Sequence, residues 1–286
     1  MIVFKVEYDE GGGIKSRGAR FGPIMIQRAF KSVPWRVAED GSLHSKVWWQ
    51  GDIGPIVSLP QYKMRMESLF TNGLTPFISL SGDNFCAFET VYMVAQHTKN
   101  IALAVLDAHP DACDMDHDPH AHWVRKLWQE GIVAPEKTVF FGIRDSEEQE
   151  MRFIKEKKAI VIASDEVDYF LSTGLNRAGD WPAHRWRNIP DYMLVIIVDI
   201  DVLDPAYAPG TGILRAGGLN VRRVLNIIRR LCALPFAMKI GEICEVIPAA
   251  GDRLRKSDKR PDPCGLTVLA AEAIFREMLQ SLQPQT

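Results

Sequence analysis

Two segments of the chain place acids at alternating positions straight after an apolar run. Asp107, His109 and Asp111 follow Ile101–Leu106 in "IALAVLDAHPD", and Asp199 and Asp201 follow residues 193–198 in "MLVIIVDID". In an extended backbone, residues two apart point to the same side. Each segment therefore aims its polar groups at one place. Four carboxylates and one imidazole at two strand ends are costly to hold out of water unless cations neutralise them. Carboxylate-rich ligation with one imidazole suits Mn2+ or a similar divalent ion. Five ligands, some shared, suit two ions about 3.5 Å apart that make hydroxide available near neutral pH. Either segment alone reads equally well as solvated acids or an Asx turn at a strand end. The two together, each closing a buried type of strand, favour the metal site. A third apolar run, 77–80, ends in "SGDN" and delivers Asp83 and Asn84 to a similar position. Asn84 is unexpected there, because an amide is a poorer donor than imidazole for Mn2+.

These segments need a scaffold that ends several strands at one edge. Strands are expected at 2–8, 77–80, 101–106, 138–142, 159–163, 193–200 and 237–243. Several are apolar at successive positions, as in parallel sheets covered on both faces. Helices are expected between them, at 62–70, 85–97, 120–130, 147–157, 221–231 and 267–282. In the fifth, Asn220 can cap the start, and Val221, Val224, Leu225, Ile228 and Leu231 form one apolar face. Strands alternating with helices of this length predict an α/β fold: three layers, α/β/α, doubly wound around a mostly parallel sheet. No segment reads as an interdomain linker, so residues 1–286 are expected to form a single domain. Ligands in such sheets bind outside the carboxyl ends of the strands, where the acids lie.

Bulk properties exclude other classes. The formal net charge of -2 gives no electrostatic case for nucleic acid or an anionic membrane. The longest apolar run is far shorter than the ~20 residues of a membrane span. Five cysteines without a CxxC pair read as free thiols in a reducing compartment. With no signal-type N-terminus, cytoplasmic is the expected location. "GGG" at 11–13 lacks the Lys-Ser/Thr of a phosphate loop, and "RKSDKR" at 255–260 reads as a solvated basic run. Trp48-Trp49 and the tryptophans at 181–186 lie in loop-like stretches and are candidates for subunit contacts.

The segments "DAHPD", "DIDVLDP" and "EVIP", with "RGARFGP" (17–23), "SGDN" (81–84), "HAHWVRKLWQEGIV" (120–133), "FGIRD" (141–145) and "DPAYAPGTG" (204–212), stand in an order that resembles the ureohydrolases. That family includes arginase, agmatinase and related guanidino-acid hydrolases. "RFGP" and "APGTG" bring the agmatinase branch nearest. The resemblance runs nearly the full chain and implies an arginase-like fold and hydrolysis of a guanidino compound, agmatine or a guanidino acid, to urea and an amine. It implies that Asp107 and Asp199 bridge two Mn2+ ions, that His109 and Asp201 complete one site, and that Asp111 and residue 84 complete the other. Ni2+ or Co2+ could serve in place of Mn2+. A hydroxide bridging the ions would attack the guanidinium carbon. Glu245 would hold the guanidinium, His120 would carry a proton to the leaving amine, and Asp83 would orient a ligand. Trimers or hexamers are implied as well.

Four departures from the family pattern bear on these roles. Asn84 stands where the family has a metal-binding histidine, which weakens the ion completed by Asp111. That leaves three outcomes: a dinuclear centre with one weak ion, a one-metal enzyme, or a weakly active or non-catalytic binding or partner subunit, as in a mixed oligomer with a related chain. Arg215 stands where agmatinases tend to carry an acid; it would repel an ammonium and attract a guanidino-carboxylate, unless it faces solvent or a subunit contact. The segment 113–123 is rich in acids and histidines: it reads as a solvated active-site loop for every member but His120, or as a cation-attracting rim with His117 or His122 near substrate. Ile247, in "EVIP", would make the pocket more apolar beside Glu245.

Overall fold

The apolar runs become strands of one sheet, which the computed structural model describes over residues 1–11, 16–32, 47–51, 54–114, 119–175, 189–248, 262 and 264–283. The strands are β1 (Ile2–Val6), β2 (Trp48–Gln50), β3 (Phe77–Ser81), β4 (Ile101–Leu106), β5 (Thr138–Ile143), β6 (Ile160–Ala163), β7 (Met193–Asp199) and β8 (Met238–Cys244). They lie in the order β2-β1-β3-β8-β7-β4-β5-β6, and every neighbouring pair is parallel. All strand ends of one kind therefore share one edge. The doubly wound α/β fold expected from the sequence is the fold observed.

Strand alternation divides the core into two layers. Ala102, Ala104 and Leu106 of β4 face one apolar cluster, while Ile101, Leu103 and Val105 face the other. Helices α1 (Gly22–Ser32), α6 (Val167–Thr173), α7 (Val221–Cys232) and α8 (Leu266–Ser281) contribute to the first cluster. Helices α2 (Leu59–Leu69), α3 (Cys86–Ala95), α4 (Trp123–Gln129) and α5 (Glu148–Glu156) contribute to the second. Asn220 caps α7, accepting the Arg223 amide at 2.9 Å through its side chain.

Some elements differ from expectation. Helices α1 and α6 and strand β2 carried no clear periodic signal, being short or opened by Gly-Pro. The Trp48-Trp49 pair is strand rather than loop. Alternation leaves Trp48 58% exposed and sends Trp49 inward, with ring centroids 6.1 Å from Phe30 and 5.6 Å from Phe275. Trp49 thus packs within its own chain. The expected helix at 120–130 splits into a 3-10 turn, Pro119–Ala121, and α4. The tryptophans at 181–186, His117, residues 12–13 and the run at 255–260 lie outside the described residues.

Gly82 joins three of the strand ends. Its N–H donates to Val6 O at 3.0 Å, and its carbonyl accepts the Glu245 amide at 2.7 Å. A Cβ at this position would lie 2.1 Å from Tyr8 O and 2.9 Å from Arg20 N. Both are backbone atoms that cannot rotate away. Gly82→Ala is therefore expected to lower stability by about 2 kcal/mol or more, as for overpacked interiors. The urea unfolding midpoint measures this, and an unchanged midpoint would mean that the loop yields freely.

Candidate metal centre

Strands β3, β8, β7, β4 and β5 are consecutive in the sheet. Beyond their carboxyl ends stand Asn84, Glu245, Asp199 with Asp201, Asp107 with His109 and Asp111, and Asp145. These ends open on a cavity of about 330 Å³ whose wall includes Asn84, His109, Asp111, Asp199, Asp201 and Glu245, with His120 and Arg215 on it as well. Asp107 lies just behind His109.

Each carboxylate is set by a local turn. Asp107 Oδ1 accepts the His109 amide at 2.7 Å, and Asp199 Oδ1 accepts the Asp201 amide at 2.9 Å. Asp201 Oδ1 reaches across to the Ala108 amide at 3.0 Å. Asp111 and Glu245 have φ of 51° and 60°. Such left-handed backbone is uncommon for a residue with a side chain and clusters at functional sites. The kink at Glu245 brings its Oε1 within 3.0 Å of the Asn84 amide and 2.9 Å of Ser16 Oγ, both of which donate to it. Asp83 caps the next turn, its Oδ1 accepting the Phe85 amide at 2.8 Å.

Asp107, His109 and Asp201 present ligand atoms all within 4.8 Å of one another. His109 Nδ1 is 3.0 Å from Asp201 Oδ2 and 3.5 Å from Asp107 Oδ1. Adjoining ligands of an octahedral ion with bonds near 2.1 Å lie roughly 3 Å apart, so this donor set fits a divalent cation. The other ring nitrogen, Nε2, lies 3.2 Å from Asp145 Oδ2, which fixes the orientation of the imidazole.

The electrostatics follow from burial. Desolvation, and then the charge of Asp201, push Asp107 up to about 7. Burial likewise raises Asp111, Asp199 and Glu245, followed by repulsion from Asp107, Asp201 and Asp83 respectively. Burial opposes the charging of His109, but its bonds to Asp107 and Asp201 outweigh it and push the imidazole up to about 12. Burial also works against the charge of Asp201, yet the bond from His109 holds its carboxyl below the ordinary value.

Residues 1–280 match the model of the Arginase family. The chain belongs to the arginase family. It is 27% identical to the agmatinase of Neisseria meningitidis over 97% of this chain and 85% of that one. An agmatinase of Escherichia coli is also 27% identical, over 92% and 81%. Among solved structures, proclavaminate amidino hydrolase from Streptomyces clavuligerus shares the fold with a TM-score of 0.78 at 24% identity, covering 98% of this chain and 91% of its own. Arginase from Bacillus subtilis has a TM-score of 0.75 at 20% identity, covering 97% of each chain.

Most residues singled out from the ureohydrolase pattern line this cavity; Asp83 and Asp107 do not, and neither does His122. It is 5% exposed, and its Nδ1 lies 2.7 Å from the Cys113 carbonyl. The 3-10 turn puts His120 on the wall and its second neighbour in the interior. Several participants gave no sequence signal of their own. Arg144 donates to the carbonyls of Asp201 at 2.6 Å, Arg215 at 3.0 Å and Leu203 at 3.2 Å, clamping the loop after β7. Asp145 joins His109 to Arg215, whose Nε donates to it. Thr211 Oγ1, on the cavity wall, is buried without a partner among the described residues. The motifs "FGIRD" and "APGTG" contain the last three but do not announce their contacts.

Glu242, on β8 and fully buried, lies beneath this edge. It accepts from Ser81 Oγ at 2.6 Å and from Thr90 Oγ1, which is 2.8 Å from the Tyr62 hydroxyl. Burial raises its carboxyl from the ordinary 4.5 to about 7. The folded chain thus holds a proton that the unfolded chain releases. The stability so gained is fully present below about 4.5 and is lost as pH rises through about 7. A shift of this size corresponds to at most roughly 3–4 kcal/mol. Glu242→Gln, neutral at every pH and able to keep the hydroxyl contacts, should flatten the fall in urea midpoint over that window. Identical pH profiles in the two proteins would show that Glu242 does not set it.

Proposed function

We propose that this arginase-family chain hydrolyses a guanidino compound, agmatine or a guanidino acid, to urea and an amine. The observation that carries the reading is a buried Glu245 carboxylate on the same cavity wall as His109, Asp199 and Asp201. A carboxylate so desolvated is best satisfied by a cation, and a guanidinium offers it charge-assisted hydrogen bonds. Asp107, His109 and Asp201 would hold a divalent cation with Asp199 beside them. We take Mn2+ as that ion, with Ni2+ and Co2+ sharing its ligand preferences. When bound, such a cation makes hydroxide available near neutral pH.

The chain's own groups would do the rest. Glu245 would fix the guanidinium, with its Oε1 already steadied by Ser16 and the Asn84 amide. The Thr211 hydroxyl, buried without a partner among the described residues and on the cavity wall, would receive one of the guanidinium N–H groups. His120 would pass a proton to the leaving amine, a duty suited to an imidazole on the cavity wall. Arg215 would meet the far end of the substrate and favour a carboxylate over an ammonium. Assembly as a homo-oligomer, trimer or hexamer, and a cytoplasmic location belong to the same reading and rest on family and composition. No helix among the described residues is long and apolar enough to cross a membrane. A second reading, a weakly active or partner subunit, draws support from Asn84, whose amide bonds directly to Asp111.

Urea release from manganese-loaded protein across a guanidino panel tests the proposal. Urea is expected from at least one member, with guanidinobutyrate preferred to agmatine. Glu245→Gln should lower kcat/KM by about 10–100-fold, the worth of a charged hydrogen bond. A marked preference for agmatine would remove Arg215 from the role given to it. No urea from any member would leave the partner-subunit reading.

A further inference from the structure

Asn84 engages neighbours at both ends of its amide. Nδ2 donates to Asp111 Oδ2 at 2.6 Å, and Oδ1 lies 3.2 Å from His120 Nδ1. The NH2 end thus meets the carboxyl group, while Oδ1 faces His120 and can accept from its Nδ1–H. Asp111 Oδ2 takes a second donor, Trp123 Nε1, at 2.9 Å. Indole nitrogen can only donate. Two N–H groups therefore occupy the face of Asp111 that Asn84 approaches.

A divalent ion between these residues would need an oxygen from each at roughly 2.0–2.5 Å. Here the amide oxygen points to the histidine, and a hydrogen of the amide stands between it and the carboxylate. Asn84 also brings no charge and no imidazole to hold a cation. The arrangement is built in rather than incidental. The left-handed turn at Asp111 aims its carboxylate at Asn84 and Trp123, and its carbonyl accepts the Val124 amide at 3.1 Å, locking the turn onto the start of α4. The opposite group differs: Asp107, His109 and Asp201 bring ligand atoms within 4.8 Å of one another, and Asp111 is not among them.

We propose that this chain works with one cation, held by Asp107, His109 and Asp201, and that Asn84 replaces the second as a hydrogen-bond bridge from Asp111 to His120. Asn84 is then a positioning residue: it steadies Asp111 without a metal and sets the proton of His120 on Nδ1. The inference rests on the metal-dependent hydrolase reading, and its test separates the two.

The full chain is stripped with chelator, loaded with excess Mn2+, desalted and counted by elemental analysis, with electron paramagnetic resonance on the same sample and urea release measured in parallel. About one ion per chain is expected, with the six-line spectrum of isolated Mn2+. Asn84→His should raise the count toward two and give the broadened spectrum of a coupled pair. Asn84→Leu, which removes the bridge but no ligand, should still hold about one ion; loss of that ion would overturn the proposal by making Asn84 a ligand. Should Asn84→Leu not fold, the wild-type count and Asn84→His still decide. Two tightly held, coupled ions in the wild type would overturn the bridge and leave the hydrolase reading standing. One isolated ion with no urea from any guanidino compound would support the bridge and overturn the hydrolase reading. No tightly held ion would overturn both.

Discussion

Carboxylates largely shielded from water dominate this molecule. Asp107, Asp111, Asp199, Asp201 and Glu245 are each 5% exposed or less, and His109 is the cationic group that touches the cluster most closely. Uncompensated charge in such a place is among the most expensive features a fold can carry. The sheet makes it tolerable. Five adjacent parallel strands end at one edge, so acids from distant parts of the sequence meet around the same cavity, and backbone amides of the strand-end turns meet them there. The left-handed residues, Asp111 and Glu245, sit in that ring. Strain of about 1–3 kcal/mol per such residue persists only where the surroundings fix it.

The two ways of reading an acidic strand end turn out to be compatible. Asp107 and Asp199 each close an Asx turn through Oδ1, receiving the amide two residues on. That accounts for one oxygen of each carboxylate. The turn also fixes the rotamer, and in Asp107 the same Oδ1 lies 3.5 Å from His109 Nδ1. A buried Asx turn thus fixes a carboxylate in place at a strand end, and under the proposed function the same residues would also face a cation. Asp201 follows the same logic across strands, taking the Ala108 amide with Oδ1 and facing His109 with Oδ2.

What the sequence disclosed follows from how each signal is encoded. The strands under the site were legible because buried parallel strands are apolar throughout. The alternation placed Asp107 and His109 together, but it does not carry to Asp111, whose left-handed backbone (φ 51°) turns it to Asn84 and Trp123 instead. Strand β2 was not legible, because three residues cannot show a period; nor was α1, opened by Gly22-Pro23. His120 and His122 look equivalent in "HAHW", and only the 3-10 turn separates the one on the cavity from the one bonded to Cys113 O. Ser16 and Glu245 are 229 residues apart, and Ser81 and Glu242 are 161 apart. Contacts of that range leave no local trace. Asn84 was visible as a departure, but its partners were not: which end of an amide faces which neighbour is decided by three elements packing together.

The residues around Asp145 join two properties that sequence treats as separate. Asp145 Oδ2 takes Nε2 of His109 and Nε of Arg215. Burial works against its charge, but Arg215 and then His109 more than offset it and hold the carboxyl below its ordinary value. One carboxylate oxygen therefore answers to the imidazole that faces Asp107 and Asp201 and to the guanidinium on the cavity wall. Arg144 reinforces the link by bonding to the carbonyls of both Asp201 and Arg215. Arg215, on the cavity wall, and His109, beside Asp107 and Asp201, are thus linked through a single shared carboxylate oxygen.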